Sequence, residues 1–128
     1  MFFDTTREEK VKKFRDAGGK GDFATSPKDF QMIMDCIHEE FMEFYEAAQD
    51  YAEGLNPVYT RAQLCKEWAD LQYVVSQAAL YFDIPADPAF NRVHNSNMTK
   101  VVDGKVLYRE DGKILKPEGY IAPDMRGL

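Results

Sequence analysis

Apolar residues recur at helical spacing through two long stretches of this chain. At about 100° per residue, Phe30, Ile33, Met34, Ile37, Phe41, Phe44 and Ala48 fall on one stripe. Leu64, Trp68, Leu71, Val75, Ala78 and Phe82 form a second. The pattern predicts two amphipathic helices over residues 30–53 and 61–82. Gly54-Leu55-Asn56-Pro57 is the turn between them, so the two form an antiparallel hairpin. Ser26-Pro27 opens the first helix, with proline in its first turn, and Thr60 caps the second.

Shorter elements flank the hairpin. Residues 5–17 read as an amphipathic helix capped by Thr5 or Thr6, with Glu8 and Glu9 in its first turn. Val11 and Phe14 form its apolar face. Gly18-Gly19-Lys20-Gly21 stops it. That loop lacks the rest of a phosphate-loop pattern and no strand precedes it, so it reads as a connector, with Phe23 tucked onto the bundle. Pro85 and Pro88 end the second long helix, and a fourth runs over 88–97, with Phe90, Val93 and Met98 as its apolar residues. After Lys100 two turn signals, Asp103-Gly104 and Asp111-Gly112, lie between short β-prone runs. They predict a small hairpin or irregular loop, followed by an extended tail lying on a neighbouring subunit. The whole is expected to be one all-α domain over residues 1–128. Residues 1–26 are its N-terminal helix and connector, and 101–128 its hairpin and tail.

Four acids stand out against this frame. Glu40 and Glu43 lie on one shoulder of the first stripe, and Glu67 and Asp70 on the same shoulder of the second. In an antiparallel pair, equal shoulders land on the same side. Glu40 matches Asp70 in height, and Glu43 matches Glu67, symmetrically about position 55. At a rise of about 1.5 Å per residue the two pairs lie within one helical turn. Four carboxylates at the edge of a core repel each other and are costly to bury unpaired. A hard divalent cation relieves both costs, and oxygen donors suit Mg²⁺, with Mn²⁺ the other candidate. The bland reading is a solvated acidic face, the usual fate of Glu on a helix. Two such pairs at matched height favour the metal. Glu39 points nearly opposite the stripe, and His38 lies on the other shoulder as a partly buried surface histidine.

Composition narrows the function classes. A net charge of −6 and a pI near 4.9 argue against nucleic-acid binding, which needs a basic face. A nucleotide ligand stays open, because a bound metal reverses the local sign. No apolar run approaches the roughly 20 residues of a membrane span, and no signal peptide is apparent. Cys36 and Cys65 read as free packing thiols of a cytoplasmic protein. At 128 residues the core is modest, so an oligomer is expected.

Glu39-Glu40-x-x-Glu43 followed by Glu67-x-x-Asp70 resembles the EExxE…ExxD signature of the MazG-like, all-α nucleoside triphosphate pyrophosphohydrolases. That superfamily includes phosphoribosyl-ATP pyrophosphohydrolase and the dimeric dUTPase and dCTPase types. Ser96-Asn97-Met98-Thr99-Lys100 is similar to the SNMSK segment of small MazG-like proteins, and the tail with Lys116-Pro117 and Pro123-Asp124 follows the same pattern. The resemblance covers roughly residues 27–124. It implies a four-helix-bundle fold completed by oligomerisation into a homodimer or homotetramer. It also implies Mg²⁺-dependent hydrolysis of a nucleoside triphosphate, a dNTP above all, to nucleoside monophosphate and pyrophosphate in nucleotide-pool house-cleaning. Glu40, Glu43, Glu67 and Asp70 would hold the metal and carry the catalysis; Asn97 and Lys100 would contact the substrate's sugar or phosphates.

Three other readings compete. Phosphoribosyl-ATP is the alternative substrate within the superfamily. A di-iron bundle wants Glu-x-x-His on two helices, and neither Glu40 nor Glu67 has a histidine three residues on. A non-enzymatic helical oligomerisation module would carry the acids as surface charge, and metal-dependent thermal stabilisation separates it from the enzyme.

Overall fold

A computed structural model describes residues 6–19 and 27–128. Four helices make up the architecture: α1 (Arg7–Ala17), α2 (Pro27–Ala52), α3 (Pro57–Tyr81) and α4 (Ala86–Met98). Among the described residues there is no named strand, so the all-α class expected from the periodicity holds. The chain forms two compact units, Met1–Asp83 and Ile84–Leu128.

In the first unit α2 and α3 make the hairpin, and α1 packs on α3. Thr6 caps α1 with a full capping box: its Oγ1 accepts from the Glu9 N–H at 3.1 Å, and Glu9 Oε2 accepts from the Thr6 N–H at 3.3 Å. The expected alternative cap Thr5, with Lys20, Gly21, Phe23 and Ser26, lies outside the described residues. Both sides of the hairpin turn carry positive φ: 76° at Gly54 and 35° at Asn56. Asn56 tolerates this better than most residues. Asn56, not Thr60, is the cap residue of α3, and Pro57 fills the first helical position. The helix therefore starts a turn earlier than Thr60 suggested. Thr60 is buried and its Oγ1 donates back to the Asn56 carbonyl at 3.2 Å.

The seam between the long helices follows the apolar stripes only in part. Ile33 and Ala47 are buried on α2, seven residues either side of Glu40. Thr60, Glu67 and Tyr81 are buried on α3, again at multiples of seven. Seven residues is close to two turns, so each set lies along one line of its helix. Glu40 and Glu67 thus sit on the buried line, not on a shoulder beside it. The aromatic stripes are left half open: Phe41 is 47% exposed, Trp68 49% and Val75 46%.

α1 packs along α3. Val11 is buried, but Phe14 is 68% exposed, and its ring touches Tyr73 edge-on at 5.9 Å between centroids. The side chain buried beside Val11 is Arg15, whose guanidinium lies 5.0 Å from the Tyr81 ring centroid. Ser76, almost fully buried, donates to Glu8 Oε1 at 3.4 Å. His38 is exposed.

In the second unit α4 begins at Ala86, so Pro88 sits in its first turn, where a missing N–H costs little. The expected hairpin is reduced to isolated bridges, Val102 with Lys105 and Tyr108 with Ile114. Asp103 and Gly104 both have positive φ, so that turn forms, but each arm is too short to make a ladder. The tail is tied to α4. Arg92 Nη1 donates to the carbonyls of Asp124 and Arg126, both at 2.9 Å, and Ser96 Oγ donates to Ile121 O at 2.6 Å. Arg126 forks onto Asp124 and holds its carboxyl down to about 2.

Ile33→Ala removes the most deeply buried side chain of α2 and is expected to lower stability by about 3 kcal/mol in urea unfolding. A cost near zero would mean that the α2–α3 seam is not closed at this level.

Candidate metal centre

The hairpin register brings three carboxylates together. Glu40, Glu67 and Asp70 each offer an oxygen, and these oxygens lie within 4.8 Å of one another. Glu43 lies exposed beside them, near enough that the charges of Glu40 and Glu67 raise its pKa. Three of the four predicted acids therefore meet across the α2–α3 seam, with Glu43 at its exposed edge. Glu39 is exposed. Asn97 and Lys100 belong to the second unit, where Lys100 Nζ donates to Asn97 Oδ1 at 3.1 Å.

Two partners were not singled out by the sequence pattern. Gln63 Nε2 donates to Glu67 Oε1 at 2.6 Å. Lys66 Nζ contacts Glu67 Oε1 at 3.2 Å and Asp70 Oδ2 at 2.9 Å. Gln63–Glu67 and Lys66–Asp70 are each four residues apart on one helix, a spacing that brings side chains together. That spacing was the available signal. The two carboxylates keep the Lys66 ammonium charged to well above its ordinary range, the Asp70 contact most of all.

One ammonium does not balance four carboxylates. Glu40 Oε2 and Glu67 Oε2 are buried and have no hydrogen-bond partner. Oxygens left this way carry the full cost of lost hydration. The charge of Glu40, then burial, then the hydrogen bond to Glu67 push the Glu43 carboxyl up from its ordinary pKa. Beside the cluster, burial first and then the charges of Glu39 and Glu40 push up the Cys36 thiol, which disfavours its reactive thiolate. The donor set is all oxygen, partly orphaned and strongly acidic, and so it fits a hard divalent cation.

A cavity of about 430 Å³ opens along the same two helices. Phe44, Ala48, Tyr51, Leu64 and Trp68 wall it, and Arg61 lies with its guanidinium 5.8 Å from the Tyr51 ring centroid. Phe44 and Trp68 each directly follow one of the four acids in sequence.

Residues 22–97 match the phosphoribosyl-ATP pyrophosphohydrolase family. The chain belongs to that family. Its members are hydrolases acting on acid anhydrides, within the MazG-like all-α superfamily. The match spans α2, α3 and nearly all of α4, and thus all four clustered acids; α1 and the tail lie outside it. No curated protein matches the chain significantly.

The repulsion around Glu43 gives a signed prediction. A raised carboxyl pKa means that the folded protein favours the protonated form. The charged form therefore costs stability above that pKa, and the cost is relieved as pH falls through it. Glu43→Gln should raise the melting temperature of metal-free protein near neutral pH. That advantage should shrink on acidification toward the raised pKa. A variant that melts at or below wild type in chelator would show that the four charges are already screened.

Proposed function

We propose that this protein hydrolyses a nucleoside triphosphate, a dNTP, to nucleoside monophosphate and pyrophosphate. Glu40, Glu43, Glu67 and Asp70 would hold Mg²⁺, or Mn²⁺ in its place. The carrying observation is the pair of orphaned buried oxygens, Glu40 Oε2 and Glu67 Oε2, within the cluster of Glu40, Glu67 and Asp70 in a chain of a pyrophosphohydrolase family. A bound Mg²⁺ would supply charge neutralisation on the phosphates and Lewis-acid polarisation. Water adds across the α–β anhydride, one of the four carboxylates takes its proton, and pyrophosphate leaves. Asn97 and Lys100 contact the sugar or phosphates, and their mutual hydrogen bond presets the lysine's position. The cavity beside Trp68 and Phe44 has the size and apolar walls that a nucleobase requires.

The working form in this reading is a homodimer or homotetramer in the cytoplasm, serving nucleotide-pool house-cleaning, with no nucleic-acid or membrane partner. The half-exposed stripe of Phe41, Trp68 and Val75 supports the assembly, since a second copy would cover it. No helix of the described residues is long and apolar enough to cross a membrane. The family match favours a second substrate reading, phosphoribosyl-ATP.

The test is pyrophosphate release from a panel of dNTPs, NTPs and phosphoribosyl-ATP with Mg²⁺ or Mn²⁺. Turnover of at least one substrate is expected, and the panel separates the two readings. Glu40→Gln and Glu67→Gln should each lose about two or more orders of magnitude in kcat, whereas Glu39→Gln should change it little. Retained activity in both variants would remove the site; no turnover by folded wild type would remove the reaction. Mg²⁺ at about 100 times its Kd should also stabilise wild type by about 2.7 kcal/mol, and Glu67→Gln far less. A non-enzymatic module would show no such gain.

A further inference from the structure

Among the described residues one cation lies against two of the candidate metal ligands. Lys66 Nζ sits 2.9 Å from Asp70 Oδ2 and 3.2 Å from Glu67 Oε1. Both acids belong to the trio whose oxygens gather within 4.8 Å. The lysine side chain is 61% exposed, so it can swing away without opening the seam.

Helix stability does not account for this contact. A lysine N-terminal to its acid at i,i+4 is the less favourable order on a helix. Exposed pairs of this kind contribute little to folding. Hydrogen bonding does not account for it either, because Glu67 Oε1 already accepts from Gln63 Nε2 at 2.6 Å. What the ammonium supplies is charge. It offsets one of the three negative charges that Glu40, Glu67 and Asp70 bring together. The offset is incomplete, since Glu40 Oε2 and Glu67 Oε2 stay buried without partners. A divalent cation on these acids would compete with the ammonium for them, and the two positive charges would repel each other at this range.

We infer that Lys66 is an internal counter-ion of the carboxylate site, pairing with Glu67 and Asp70 in the metal-free protein and giving them up when a divalent cation binds. The inference rests on the proposed metal reading and deepens it by naming a residue that sets the site's affinity. Lys66 acts through Glu67 and Asp70 and is thus a positioning residue. The consequence is a raised threshold: the site fills only when free Mg²⁺ is high enough to displace the lysine.

Titration calorimetry of the full chain with Mg²⁺ alone, together with melting in chelator, tests it. Lys66→Gln should bind Mg²⁺ about three- to tenfold more tightly than wild type, because the competing charge is gone. The same variant should melt lower in chelator, since the acids lose their offset while Gln63 still occupies Glu67 Oε1. Lys66→Arg keeps the charge and should bind Mg²⁺ no more tightly than wild type. A lysine that merely ordered the carboxylates for the metal would give the opposite sign, with weaker binding in Lys66→Gln. Equal or weaker Mg²⁺ binding by that variant overturns the inference and leaves the metal reading standing. Wild type supplies a second check that needs no variant. Acetylation of Lys66, followed by peptide mass spectrometry, should run several-fold faster in saturating Mg²⁺ than in chelator, as the ion pairs are released. An unchanged rate overturns the inference even where Lys66→Gln binds more tightly. Absence of Mg²⁺ and Mn²⁺ binding by all three proteins removes the metal reading, and the inference with it.

Discussion

The mutual repulsion of four carboxylates across the α2–α3 seam is the constraint on which the rest of the first unit depends. Glu40 and Glu67 occupy the buried line of their helices, where apolar residues would serve stability better. Ile33 and Ala47 on α2 and Thr60 on α3 are buried seven residues from them. The turn at Gly54 and Asn56 fixes the register that sets the acids opposite one another. Gln63 and Lys66 relieve part of the repulsion, but two oxygens stay without partners. A seam arranged this way gives up cohesion where the carboxylates meet.

That use of the seam explains where the aromatic residues go. With the acids between the helices, the stripe of Phe41, Trp68 and Val75 turns outward, half exposed. α1 packs on α3 through Val11, the Arg15 guanidinium beside Tyr81 and the Phe14–Tyr73 edge contact. One long helix therefore has three jobs around its circumference: a carboxylate face, a docked helix and an open apolar face. Its weak segregation of polar and apolar residues follows directly.

The second unit shows a different economy. It has few buried side chains, Ser96 chief among them, and its order comes from hydrogen bonds between α4 and the tail. Backbone carbonyls of Asp124, Arg126 and Ile121 that would otherwise face water are captured by Arg92 and Ser96. This replaces the strand pairing that the short β-prone runs were too brief to sustain.

What the sequence by itself determined is the all-α class, the hairpin and the approach of Glu40 to Glu67 and Asp70. Those follow from helical periodicity and from symmetry about the turn, which are local properties. Tertiary structure alone decided which line of each helix is buried. Periodicity placed the acids on a shoulder because it reads the largest apolar side chains as the seam. The fold instead runs the seam through Glu40 and Glu67 and leaves Trp68 half open. It also decided that Arg15, not Phe14, is buried on α1, and that Asn56 begins α3. The path of the non-periodic tail was likewise invisible, because it is set by hydrogen bonds to α4 and not by any repeat in the chain.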